Sequence, residues 1–360
     1  MKITLFIGGL SGGGAERVMC NIANYLVNHE HVVEILTISD DSSPYYLNKK
    51  VSTHSLISSK EKRSFVKDSL TRFIRLRKYL RNRVCDVYVV MIPLTTILLL
   101  AFRNLTKAKI IVSERSYPEF YDKWKRVLLK KLAHRADGWV FQTDAAMGWY
   151  QGKLGKSKTI IIPNAINFDF LGNIEIAEKR PVIVSVGRLK GMKNHTLLIN
   201  AFSRICDKYP EYVLEIYGEG EAKGVLEDLI NNLNLNTRVH LMGFQNNINE
   251  KIKNASLFVL SSNHEGMPNA LIEAMAMGLP CISTDCDGGG AKFLIKDGVN
   301  GLLVPKNDVE VMAEAMDKLL SNPKLANQLG VEAHQICERL APEKIYSEWE
   351  KFILDVAYNK

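Results

Sequence analysis

A chain of 360 residues, 46% of them hydrophobic, is long enough for two domains with full cores and has an ordinary globular composition. Its six cysteines, at 20, 85, 206, 281, 286 and 337, include no C-x-x-C pair. That argues against a disulfide scaffold or zinc site and for reduced thiols in a cytosolic protein. The formal net charge of +8 is unevenly divided: residues 1–170 carry 27 Lys and Arg against 14 Asp and Glu, net +13, and the remainder is net −5. The asymmetry predicts that the N-terminal half meets something anionic.

In chain order, Ile3 to Ile7 reads as a buried strand. The apolar run through Leu10 is too short for a secretory leader and passes straight into glycines. A helix is expected over 15–28, a strand over 32–38 and a basic helix over 60–83. The stretch Val87 to Phe102 is the most apolar, but its sixteen residues contain Pro93 and fall short of the roughly 20 that cross a bilayer. It reads as a strand over 87–91 followed by a core helix. Further strands are expected at 109–113, 139–143 and 159–163.

The pattern then restarts, with strands at 181–187, 212–218, 239–243, 255–262 and 280–284. Alternating strands and helices predict doubly wound parallel sheets. The expected division is a Rossmann-like domain over 1–170, a second over 171–341, and a C-terminal helix over 342–360. A linker is placed near 167–180, and two such halves facing one another would leave a cleft at the carboxyl ends of their strands.

Glu265 and Glu273 are separated by seven residues that include Gly266 and Pro268. Pro268 suits the first position of a helix over 270–277, where a missing N–H costs nothing. The free N–H groups and positive dipole end between the two carboxylates make an anion site. Hydroxyl-binding carboxylates on both sides of a diphosphate site suit a nucleotide sugar. Arg188 and Lys193 follow a strand end and combine a planar fork with a compact cation, which suits the charge that grows on a leaving diphosphate.

These features resemble the retaining glycosyltransferases of family 4, which have the GT-B fold. Glu265 to Glu273 resembles the family's E-x7-E motif, and Gly187-Arg188-Leu189 with Lys193 its G-R-L-x-x-x-K clamp. Gly13-Gly14-Ala15-Glu16 resembles the N-terminal glycine loop, and Asp297 to Val304 the D-G-x-N-G-L-L-V hairpin. Four motifs in order cover nearly the whole chain. The resemblance implies transfer of a sugar from a nucleotide-diphosphate donor, with UDP-hexose or UDP-N-acetylhexosamine expected, with retention of configuration and no metal or other cofactor.

It further implies that Glu273 holds ribose hydroxyls, that Glu265 contacts the donor sugar, and that N–H groups around Gly266, Met267, Asn269, Ala270 and Leu271 help to hold sugar and phosphates. Gly13 and Gly14 would face the donor's phosphates and the acceptor. The C-terminal helix would return to the N-terminal domain, and the cleft would close on binding.

Other residues keep two readings. Arg115 follows Ser113-Glu114 at a strand end, where many family members have His. Arg is no general base near neutral pH, so Arg115 is either an electrostatic or positioning residue or a buried partner of Glu114 or another acid. Glu16 serves the helix start or the ligand. Gly218, Gly220 and Glu221, with Gly243 and Phe244, either frame the nucleotide base or form ordinary turns. His264 either lines the cleft or is structural. Asp285-Cys286-Asp287 imitates a metal-binding D-x-D, but the loop before Gly288-Gly289-Gly290 more readily approaches the donor sugar.

Residues 60–83 carry ten Lys and Arg against Glu61 and Asp68, and 123–135 carry six with no acid. Val66, Leu70, Phe73 and Leu80 keep helical spacing. The readings are a solvated face or an anionic membrane surface or lipid diphosphate. Nothing else supports nucleic acid. The expected role is peripheral attachment to the inner face of the cytoplasmic membrane and extension of a polyprenyl-diphosphate-linked glycan in polysaccharide biosynthesis. The rivals are a non-catalytic nucleotide-sugar-binding subunit and a nicotinamide-dependent oxidoreductase; the latter needs a first-strand fingerprint that Gly9 to Gly14 lacks.

Overall fold

The computed structural model describes residues 1–11, 13–39, 43–58, 65–171 and 179–358. Gly12, residues 60–64 of the basic stretch and 172–178 of the expected linker therefore lie outside the described residues. Tertiary contacts divide the chain into two compact units, Met1–Ala165 with Glu343–Lys360, and Ile166–Pro342.

The first unit holds seven strands: β1 (Lys2–Ile7), β2 (Val32–Ser39), β3 (Ser52–Ile57), β4 (Val87–Met91), β5 (Lys109–Ser113), β6 (Gly138–Phe141) and β7 (Lys158–Ile161). They pair in the order β3-β2-β1-β4-β5-β6-β7, parallel throughout. All five residues of β4 are buried, as expected where helices cover both faces of a parallel sheet. Strand β3 was not expected from the sequence. It is an edge strand, S-T-H-S-L-I, with only Leu56 and Ile57 buried, so it lacks the apolar run that marks the others.

The C-terminal helix Pro342–Tyr358 packs within this unit from Glu343 onward. Trp349 and Ile353 are buried. Lys158 Nζ lies 2.9 Å from Asp355, and His31 Nε2 is 2.8 Å from Glu350.

The second unit holds β8 (Arg180–Val186), β9 (Val213–Tyr217), β10 (Val239–Gly243), β11 (Ala255–Leu260), β12 (Cys281–Thr284) and β13 (Leu302–Val304). The order is β10-β9-β8-β11-β12-β13, again parallel. Strand order reverses between β8 and β11 here, and between β1 and β4 in the first unit. In open α/β sheets such a switch point opens a crevice at the carboxyl ends of the strands.

Three boundaries differ instructively. The run through Ser262 stops pairing at Leu260, because Ser261 and Ser262 turn their hydroxyls to the loop described below. Pro268 is the N-cap of the helix Asn269–Ala276 and not its first residue. The segment Asp297 to Val304 is no hairpin: β13 runs parallel to β12. Asn300 accepts from the Lys296 N–H at 2.7 Å and Asp297 from the Leu303 N–H at 2.9 Å, and this closed turn delivers the chain to the free edge of β12. Among the described residues no helix is long and apolar enough to cross a membrane.

Candidate active site

In the second unit, the loops after β8, β9 and β11 build the site. After β8 the chain runs Gly187-Arg188-Leu189-Lys190, then a single turn of 3-10 helix at Gly191–Lys193. Asn194 ends it in the left-handed region (φ 49°) and caps the helix His195–Ile205 by accepting from the Leu197 N–H at 3.3 Å. The Asn194 amide also donates to Asn263 and Asn307, 3.1 Å each.

Backbone bonds lace this loop to its neighbour: Gly187 N–H to Tyr217 O, Leu189 N–H to Glu219 O and Ala222 N–H to Leu189 O, all 2.9 Å. The contact is so close that a Cβ at Gly218 (φ +146°) would overlap the Gly187 carbonyl, and one at Gly220 the Leu189 carbonyl. These glycines, expected to frame a base or to be plain turns, let the clamp loop lie against the β9 loop.

Lys193 and Glu265 meet across the switch point, with Nζ 2.5 Å from Oε1. Their side chains are 18% and 10% exposed, so the pair is shielded from screening by water. Two serines hold it. Ser262 Oγ donates to Glu265 Oε1 at 2.8 Å, and Ser261 Oγ donates to the Lys193 carbonyl at 3.0 Å. Glu265 N–H bonds Asp287 O at 3.1 Å. Sequence reading missed both serines because it placed them in the strand; two hydroxyls ending an apolar strand were the available signal.

Arg188 is exposed and, among the described residues, enters no ion pair. Behind it, the His195 ring is buried, and burial, then nearby Lys193, pushes its pKa down to about 4, so it is neutral.

On the helix Asn269–Ala276 the half-buried positions Asn269, Ala270 and Glu273 share one face with the C-cap Met277, and Leu271, Ile272, Ala274 and Met275 are buried. Gly266 is half-buried, and Met267 is buried. The Leu271 N–H bonds Pro268 O at 3.1 Å, so that amide is committed within the helix and not free for a ligand, contrary to the expectation for it. Gly243 (φ +68°) ends β10; its carbonyl accepts from Gly218 N–H at 2.9 Å, and Phe244 beside it is 71% exposed.

The glycine run after Asp287 packs, rather than lying open. A Cβ at Gly290 would overlap the Gly266 carbonyl and come within 2.8 Å of Pro268 Cδ. The D-x-D carboxylates turn to lysines, Asp285 to Lys292 at 3.5 Å and Asp287 to Lys306 at 2.6 Å. His264 Nδ1 lies 3.5 Å from Asp287.

In the first unit, Gly13 is the extended N-cap (φ −157°) of the helix Gly14–Asn28, and its carbonyl accepts from Tyr45 OH at 3.1 Å. Glu16 folds back over Gly13. Arg115 follows β5, where it meets residues that follow β6 and β7: Nη2 donates to Asn164 Oδ1, and Gln142 braces it from beneath. Arg115 Nη1 is buried and has no partner among the described residues. Burial lowers its pKa only to about 10, so the charge persists at neutral pH.

Glu114 does not pair with the Arg115 guanidinium among the described residues. Its oxygens accept from the hydroxyls of Tyr121 and Tyr150, the latter at 2.8 Å, and from Ser116 N–H at 3.3 Å. Burial pushes the Glu114 pKa up from 4.5 to about 7. The native state therefore keeps a proton that the unfolded chain has lost. That contribution is full below pH 4.5 and disappears as pH rises through 7, on the order of 3 kcal/mol. Glu114→Gln is expected to flatten this slope, read as Tm at pH 5 and pH 8. Equal slopes in both proteins would remove the assignment.

Two Rossmann-like parallel sheets, one of them with a cation–carboxylate pair at its switch point, have the architecture of the GT-B fold. The profile described as Glycosyl transferases group 1 matches residues 169–335, and that described as Glycosyltransferase Family 4 matches residues 12–170. The chain belongs to this family of group 1 glycosyltransferases.

An uncharacterised glycosyltransferase of Haemophilus influenzae is 29% identical, over 97% of this chain and 99% of that protein. A Campylobacter jejuni alpha-1,4-N-acetyl-D-galactosaminyltransferase named for a diNAcBac-PP-undecaprenol acceptor is 28% identical, over 99% of each. Among solved structures, HepE of Anabaena in complex with UDP superimposes with a TM-score of 0.82 at 17% identity, covering 98% of this chain and 99% of that one. TarM of S. aureus does so with a TM-score of 0.81 at 16% identity, covering 98% of both.

Proposed function

We propose that this glycosyltransferase moves a sugar from a UDP-sugar to a lipid-linked glycan with retention of configuration, in the assembly of a cell-surface polysaccharide. The Lys193–Glu265 pair at the switch point carries the reading. A donor diphosphate entering the crevice competes with Glu265 for the ammonium, and the freed carboxylate turns to the sugar hydroxyls. Arg188, exposed and without an ion-pair partner among the described residues, is positioned to fork onto the phosphates. Glu273, on the half-buried face of its helix, takes the ribose.

As the bond from the anomeric carbon to the diphosphate oxygen breaks, negative charge gathers where both cations wait. The acceptor oxygen attacks from the same face, and its proton passes to the departing phosphate, so UDP and a new glycoside result. In the first unit Arg115 keeps its charge and a buried Nη1 without a partner among the described residues, and it is proposed to hold an anionic group of a ligand there. The relatives' names and the UDP-bound HepE support the donor and acceptor classes.

A thermal-shift panel of UDP, GDP, ADP, CMP and NAD, each with and without EDTA, tests the donor. UDP at about 100 times its Kd is expected to add about 2.7 kcal/mol, a shift of a few degrees, undiminished by EDTA and lost in Arg188→Ala. A shift with NAD alone overturns the reading.

We also propose that the first unit rests on an anionic membrane. Leu70, Phe73 and Ile74 are exposed beside Arg77 on one face of the helix Phe65–Asn82. Trp124 and Val127 are exposed among the lysines of the helix Lys123–Leu132. Apolar side chains among cations suit a bilayer surface, where each cation contributes about 1 kcal/mol. Vesicles with anionic lipid are expected to bind the protein in a salt-sensitive way; equal binding to neutral vesicles removes this part.

A further inference from the structure

Away from the loops that follow the strand ends, the first unit contains a cavity of about 400 Å3 between the edge strand β3 and the helix Phe65–Asn82. Its walls include His54 and Leu56 of the strand and Arg75, Lys78, Tyr79 and Arg83 of the helix and its end. We propose that this cavity is a second anion site that takes the phosphate group of a phosphorylated ligand.

The cavity is built. Arg75 Nη1 donates to Leu56 O at 2.8 Å, which anchors the guanidinium along the strand. The Tyr79 ring stacks on His54 with centroids 5.2 Å apart, and its hydroxyl is bonded to Glu34, so that carboxylate is capped and does not line the cavity. Lys78 and Arg83 are exposed and, among the described residues, enter no ion pair. Two arginines and a lysine lining one small space match a phosphate dianion, with the forks setting direction and the lysine adding charge. The volume lies within the range that holds a small ligand.

The site uses a different face of the helix from the apolar one. Leu70, Phe73, Ile74 and Arg77 share one stripe, whereas Arg75, Lys78 and Asn82 share another. It is also independent of the transferase site in the second unit. The phosphate is that of a soluble ligand or the phosphomonoester head group of a lipid; both present the same three terminal oxygens.

Isothermal titration of the whole protein with inorganic diphosphate tests the proposal. Lys78→Gln/Arg83→Gln is the site variant, and Lys153→Gln/Lys156→Gln makes the same charge change at exposed positions elsewhere. Both are made in the Arg188→Ala/Lys193→Ala background, which removes both cations of the clamp proposed in the second unit. A parallel arm sediments the same proteins with phosphatidylcholine vesicles with and without phosphatidic acid.

The expected result is at least tenfold weaker binding in the site variant and less than twofold change in the control. Weakening confined to diphosphate assigns a soluble ligand; weakening with the phosphatidic acid vesicles assigns a head group. If both variants weaken binding equally, or neither does in either arm, the proposal is overturned.

Discussion

Lys193→Ala is expected to lower kcat two to three orders of magnitude, about 3–4 kcal/mol in the transition state. In the proposed function the ammonium is one of two cations at the point where the leaving diphosphate gathers charge, and its side chain is only 18% exposed. The same change leaves Glu265, 9% exposed, with its oxygens short of a partner, which costs a further 1–3 kcal/mol or so of folding stability. The two losses separate in Lys193→Ala/Glu265→Gln. That double variant is expected to recover most of the melting temperature and none of the activity. Recovery of both, or of neither, would sink the assignment of the pair. Ser262 belongs to the same unit, since it is the hydroxyl that orients Glu265 from behind.

The second large effect is expected from a single methyl group. Gly290→Ala puts a Cβ into the Gly266 carbonyl and against Pro268 Cδ, and neither backbone nor proline ring can fold away as a flexible side chain would. The segment that carries Glu265 and starts the helix of Glu273 must move. The variant is expected to lose several degrees in Tm and at least tenfold in kcat/KM. Gly224→Ala is the control: nothing lies within 4 Å of its added Cβ, and in a helix it is expected to be neutral or slightly stabilising. A Gly290→Ala protein that melts and turns over like the parent would show that the loop has room the geometry denies.

The fold class was legible because parallel strands covered on both faces are written as unbroken apolar runs. Val87–Met91 and Lys109–Ser113 kept the bounds read from them. Strand β3, half-polar at an edge, has no such signature, and three-residue β13 is defined by its pairing with β12 rather than by its composition. Turn residues misled where their chemistry serves two geometries. Asp297, Gly298, Asn300 and Gly301 close a turn equally well before a hairpin or before a parallel return, and only the free edge of β12 decides between them.

The candidate site divides in the same way. Local chemistry marked Arg188, Lys193, Glu265 and Glu273, because a cationic loop after a strand and carboxylates flanking a helix start are sequence-local patterns. What lies far apart in the chain needed the tertiary structure. Strand order places β8 beside β11, so Lys193 and Glu265, 72 positions apart, become an ion pair. Ser261 reaches back to the Lys193 carbonyl, and Asn164 and Gln142 converge on Arg115 from two other strands.

The glycines show the limit most plainly. Their positions were visible, yet whether a glycine faces a ligand or another backbone depends on what lies within a few ångströms of its missing Cβ. At Gly218, Gly220 and Gly290 that neighbour is a carbonyl of another loop. Apolar runs and motif spacing were enough for two parallel α/β sheets and for singling out Arg188, Lys193, Glu265 and Glu273 as candidates. The tertiary structure alone decided which of them touch, because hydrogen bonds and ion pairs act over a few ångströms of space and not over distance along the chain.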